Sequence, residues 1–77
     1  MANNSEIKEI ILSISKIIKE PVTKINLNSK ALDFSRWDSL AHIKIILEIE
    51  KITKKKIPSS KVAELNSIKA ISNFLYN

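Results

Sequence analysis

Few residues in this chain are of types that do chemistry, and two of them stand together. Asp38 and Ser39 are followed at once by Leu40 and by an apolar-periodic segment that runs to about Thr53. Asp and Ser are favoured helix N-caps, because their side-chain oxygens accept bonds from the unpaired backbone N–H groups of the first turn. The pattern therefore predicts a helix that begins here, with Ser39 in its first turn and its hydroxyl pointing out of the preceding loop. Unpaired N–H groups and aligned peptide dipoles make a helix start favourable for negative charge. A serine in that place is well situated to carry a phosphate. The pair also serves as a plain helix cap, and taken alone it fits that simpler role better.

Composition narrows the alternatives. The 77 residues suffice for one domain, residues 1–77, near the lower size at which a single core holds without staples. The absence of cysteine excludes disulfides and thiolate metal sites. One histidine and eight scattered carboxylates leave little from which to build a metal or hydrolytic centre, so no catalytic residue is assigned and no enzyme is expected. His42 lies one turn from Ser39, but the chain gives it nothing to activate, and a packing or solvent-edge histidine is expected. Aromatics, at 5%, are too few for the stacking platforms of single-strand binders. No apolar run exceeds three residues, so no membrane span is expected, and no signal-peptide pattern opens the chain. A soluble, cytoplasmic, monomeric protein is the default expectation. The net charge of +5 points toward an acidic partner. Its lysines are spread along the chain except for Lys54-Lys55-Lys56, which follows the predicted helix. Cations there offset the negative end of the helix dipole by about 0.3–1 kcal/mol, so the run reads as a solvated helix end rather than a nucleic-acid patch.

The elements that must position Ser39 can be read from periodicity. Asn3, Asn4 and Ser5 offer caps, with Glu6 and Glu9 in the turn that follows. Ile7, Ile10, Ile11, Ile14, Ile17 and Ile18 then recur on one helical face. Isoleucine is a mediocre helix former, so this helix depends on packing, and Pro21 is expected to stop it. From Val22 to Trp37 the period breaks down. Val22, Ile25, Leu27, Leu32, Phe34 and Trp37 are set among polar residues, as in a long loop pinned by its own apolar side chains, with at most a short helical turn. So long a loop in a small domain is more often functional than filler. In the segment after Ser39, a count at roughly 100° per residue puts Ile45, Ile46, Ile49 and Ile52, with Thr53, on a core face. Leu40, Ile43 and Leu47 fall nearly opposite, interleaved with Lys44 and Lys51. Three apolar residues in line beside Ser39 make a docking strip. Pro58 opens a short helix through Val62 and Leu65, Asn66-Ser67 recaps the chain, and Ile68, Ile71, Phe74 and Leu75 form a last stripe. The expected fold is all-α: a four-helix bundle with a short third helix and a long loop between the first two.

The segment Trp37-Asp38-Ser39-Leu40-Ala41-His42, running on through Ile46-Leu47-Glu48-Ile49-Glu50-Lys51 to Ile57-Pro58, resembles the acyl carrier protein family. In that family an Asp-Ser-Leu motif opens the second helix, and the resemblance extends over nearly the whole chain. It implies that Ser39 is the attachment site of 4′-phosphopantetheine, with Asp38 and Leu40 completing the motif. The thiol of that arm would hold an acyl group as a thioester, which the cysteine-free chain cannot do alone. The implied partners are a phosphopantetheinyl transferase and enzymes that load and transfer the acyl group, met through Leu40, Ile43, Lys44, Leu47 and Lys51. Family members commonly carry a glycine just before the motif, whereas Arg36-Trp37 fills that place here. A ring as large as Trp37 usually buries, so it is expected to anchor the loop; the other reading is that it flanks the arm. Carriers of bulk fatty-acid synthesis also have an acidic second helix, whereas this one presents Lys44 and Lys51, with Glu48 and Glu50 at the edges. A carrier for a specialised biosynthetic pathway is implied. Two rivals come from other classes. A helical adaptor that is never modified fits the same cap residues. A small basic nucleic-acid binder would need base-reading side chains where Leu40, Ile43 and Leu47 stand.

Overall fold

The computed structural model of the chain describes residues 4–76, with side chains from Glu6 to Leu75. The cap offered by Asn3 lies outside them, as do the side chains of Asn4 and Ser5. Four α-helices follow one another: α1 (Asn4–Ile18), α2 (Ser39–Thr53), α3 (Ser59–Val62) and α4 (Ile68–Tyr76). The all-α expectation holds: no strand occurs among the described residues. No helix among them is long and apolar enough to cross a membrane.

The isoleucine stripes do what their spacing requires. Ile10, Ile14 and Ile18 of α1 pack with Ile45 and Ile49 of α2 and with Ile68, Ile71 and Leu75 of α4 in one core. On α2 the buried set is Ala41, Ile45, Ile46 and Ile49. The small Ala41 takes the place nearest the loop, while Ile52, expected in the core, is only half-buried. Thr53 turns its hydroxyl back to the Ile49 carbonyl (2.8 Å).

The chain between α1 and α2 contains two single 3₁₀ turns, Val22–Lys24 and Ala31–Asp33. Only half of its apolar residues pin it. Ile25, Phe34 and Trp37 are buried, whereas Leu32 is 97% exposed and Val22 and Leu27 are 41% and 45% exposed. The remaining anchorage is polar. Ala31 N–H donates to the Asn66 carbonyl (2.7 Å) and Ile68 N–H to the Ser29 carbonyl (3.1 Å), tying the loop to the start of α4. Buried Ser29 accepts Asn26 N–H at its hydroxyl (2.9 Å).

Helix ends in this glycine-free chain fall to lysine. Lys19 (φ 56°) and Lys54 (φ 58°) both occupy the left-handed region that glycine ordinarily fills. At Lys19 the next N–H, that of Glu20, reaches back to the Ser15 carbonyl (3.1 Å), so α1 ends in a Schellman-type turn ahead of Pro21. Lys54 N–H closes α2 on the Glu50 carbonyl (2.8 Å). The lysine run after α2 is thus partly structural: Lys54 forms the cap, and Lys55 Nζ donates to the Leu75 carbonyl (2.7 Å) near the end of α4. Helix α3 is shorter than expected, ending at Val62 rather than Leu65.

A left-handed residue bearing a Cβ costs about 1–2 kcal/mol, partly offset by glycine's larger loss of freedom on folding. Lys19→Gly should therefore be more stable than Lys19→Ala by about 1 kcal/mol, or roughly 4–8 °C in Tm. The order should reverse at Lys16, inside the helix, where alanine is the better residue by about 1 kcal/mol. Thermal melts of the four variants check both comparisons.

Candidate functional site

The two adjacent candidates divide their work. Asp38 has extended backbone (φ −90°, ψ −173°) and is the N-cap of α2. Its Oδ1 accepts the Ala41 N–H (2.9 Å), and its carbonyl accepts the His42 N–H (2.8 Å). Ser39 is the first residue of the helix proper and is exposed. None of the described residues hydrogen-bonds its hydroxyl. The side-chain cap bond is therefore made by Asp38 and not by Ser39, whose Oγ is exposed at the positive end of the helix dipole.

A groove of about 510 Å³ opens beside that hydroxyl, with Trp37, Asp38, Ser39, His42 and Ile43 on one wall and Val62 of α3 on the other. Trp37 is buried, as anchoring requires, and is also among the residues that line the groove. His42 explains how the walls are joined. An indole N–H can only donate, so Trp37 Nε1–H donates to His42 Nδ1 (3.0 Å). Nδ1 is thereby the unprotonated nitrogen, and Nε2–H donates to the Val62 carbonyl (2.6 Å). The two rings lie stacked, 6.2 Å between centroids and 29° between planes. One neutral imidazole thus links the loop before Ser39, the first turn of α2 and helix α3. The expectation of a packing histidine is met in a specific form.

Leu40, Ile43 and Leu47 are 63%, 53% and 59% exposed, and Lys44 and Lys51 are exposed beside them. Ile43 reaches the groove beside Ser39, while Leu47 and Lys51 line a second groove of about 350 Å³ with Glu50, Lys54 and Lys56. The Glu50 carboxylate also holds the connection to α3: its Oε2 accepts the Ile57 N–H (2.7 Å). That bond gives a physical reason for the spacing of Glu50 and Ile57-Pro58. Sequence reasoning missed Val62 as a groove residue, since nothing local says where a four-residue helix will rest. No group of three or more His, Cys, Asp or Glu suited to a metal occurs among the described residues. No family model, no curated protein and no solved structure matches the chain.

If the indole–imidazole bond holds the loop, Trp37→Phe and His42→Ala should together cost less than the sum of their separate effects. The expected coupling is about 0.5–1.5 kcal/mol, the net worth of one hydrogen bond. Urea unfolding of the two single variants and the double variant measures it, and strict additivity would remove His42 from this linking role.

Proposed function

We propose that this protein is an acyl carrier, bearing 4′-phosphopantetheine as a phosphodiester on Ser39 Oγ and serving a specialised biosynthetic pathway. The observation that carries the reading is the division of labour at the start of α2. Asp38 makes the side-chain cap bond, while Ser39 presents an exposed hydroxyl, unbonded among the described residues, at the helix N-terminus and on the rim of a groove. The order of elements supports it too: a long loop delivers the serine, the third helix is short, and the four helices take the sequence expected of a carrier bundle.

The residues present fit such a group. The hydroxyl is reachable, the dipole of α2 favours a phosphate near it, and the groove offers an apolar wall at Ile43 and Val62. When bound, the arm supplies the thiol that bears the acyl cargo. The chain's own part is to hold Ser39 at a rigid helix start and to offer Leu40, Ile43, Lys44, Leu47 and Lys51 to the enzymes that visit it. On this reading the protein is substrate and courier rather than catalyst. A separate phosphopantetheinyl transferase makes the bond at Ser39, and other enzymes load and remove the acyl group.

Co-expression with a promiscuous phosphopantetheinyl transferase should add one arm, mapped to Ser39 by peptide mass analysis. Ser39→Ala should accept none and keep its helical circular-dichroism spectrum, because the cap bond belongs to Asp38. Asp38→Ala should instead lose about 0.5–2 kcal/mol of stability. An unmodified protein, or an arm found on Ser35 or Ser60, would count against the carrier assignment.

A further inference from the structure

We infer that the exposed face of α2 docks on partner enzymes whose contact surface is acidic around an apolar hollow. This rests on the carrier reading above and specifies its partner. Leu40, Lys44, Leu47 and Lys51 succeed one another at alternate spacings of four and three residues, so they form one continuous stripe along the helix, and Lys54 follows at its C-cap. Every residue of that stripe is exposed, and Ile43 widens it beside Ser39.

The charge on the stripe is not cancelled locally. Neither Lys44 nor Lys51 forms an ion pair among the described residues. Lysines outnumber carboxylates along this part of the chain: Lys44, Lys51, Lys54, Lys55 and Lys56 stand against Glu48 and Glu50, both half-buried, so the face keeps a net positive charge. Lys54 and Lys56 extend the positive field around the groove at the end of the helix. An apolar strip with lysines interleaved along it is complementary to carboxylates that flank an apolar depression, and it repels a basic docking surface.

Two other anionic partners fit less well. Nucleic acid would be met by Leu40, Ile43 and Leu47 where base-reading side chains are needed, and Arg36, the only arginine, lies in the loop. A membrane surface rewards a broad apolar face, whereas this strip has three large apolar side chains and the opposite face of α2 is committed to the core.

The test uses a malonyl-transferring enzyme of fatty-acid synthesis with a basic carrier-docking patch, together with a variant in which the patch lysines and arginines are replaced by glutamate. Carrier-independent hydrolysis of the malonyl donor checks that both enzymes are folded. At low ionic strength the arm-bearing protein should be served better by the acidic variant, on the order of tenfold to a few hundredfold in kcat/KM, as expected for a few exposed charge contacts. The Lys44→Glu/Lys51→Glu protein should reverse that preference. Both differences should shrink as salt shortens the range of the field. Binding of the unmodified protein to the same two enzymes, followed by fluorescence anisotropy, should show the same order. A chain that takes no arm would therefore count against the carrier reading without touching this one. Equal use and equal binding of the two enzymes would overturn the inference. So would binding to equimolar phosphatidylcholine–phosphatidylglycerol vesicles or to duplex DNA that needs Lys44 and Lys51 while neither enzyme is preferred.

Discussion

A helix that starts in a loop leaves its first backbone N–H groups without partners, and how α2 meets that requirement governs the character of the site. The Asp38 carboxylate takes the Ala41 N–H, and the hydroxyl of the next residue makes no hydrogen bond among the described residues. Had Ser39 been the cap, its hydroxyl would be turned into the backbone and any modification would cost the helix a bond. The register in which Asp38 precedes the helix and Ser39 opens it puts the cap bond on one side chain and leaves an exposed hydroxyl on the next. Substitutions at the two positions therefore have distinguishable consequences.

That register must be held by what comes before it, and the chain has neither glycine nor a disulfide with which to shape the approach. It uses contacts at three depths instead. Ile25, Phe34 and Trp37 sink into the core, Ser29 and Ala31 bond to the segment that opens α4, and Trp37 reaches His42 through its indole N–H. The same imidazole then bonds Val62, so α3 is positioned from α2. The loop, the first turn of α2 and the groove wall are joined through polar contacts that are few but directional. Hydrogen bonds of this kind add little net stability each, yet they decide which arrangement of a small core is adopted.

What was legible in the sequence follows from what is local. The isoleucine spacing of α1 and α4, the core and exposed faces of α2, and the start of α2 at Asp38-Ser39 are consequences of helical periodicity and cap chemistry, and they are found close to where those rules place them, although on α2 Ala41 is buried and Ile52 only half-buried. The parts that were not legible depend on long-range contacts. Leu32 and Ile25 look equally apolar in sequence, but one is in water and the other in the core, because the loop's path is chosen by the bonds of Ser29 and Ala31 to distant backbone. Proline marked the end of α1 only approximately, since a left-handed lysine had already ended the helix. Nor could the sequence tell that His42 would use both ring nitrogens, since Val62 lies twenty residues away.

The carboxylate of Glu50 shows how fold and surface charge are linked in so short a chain. On a helical wheel it sits at the edge of the exposed face, near Lys51 and Lys54. In the folded protein it also accepts the Ile57 N–H, which fixes the turn into α3 and through it the far wall of the groove beside Ser39. The bond leaves the charge of Glu50 in place, among Lys51, Lys54, Lys55 and Lys56 around the groove at the end of the helix. The positive character of α2 and the turn after it therefore comes from an excess of lysines over carboxylates. The connection to α3 decides where one of the few opposing charges sits.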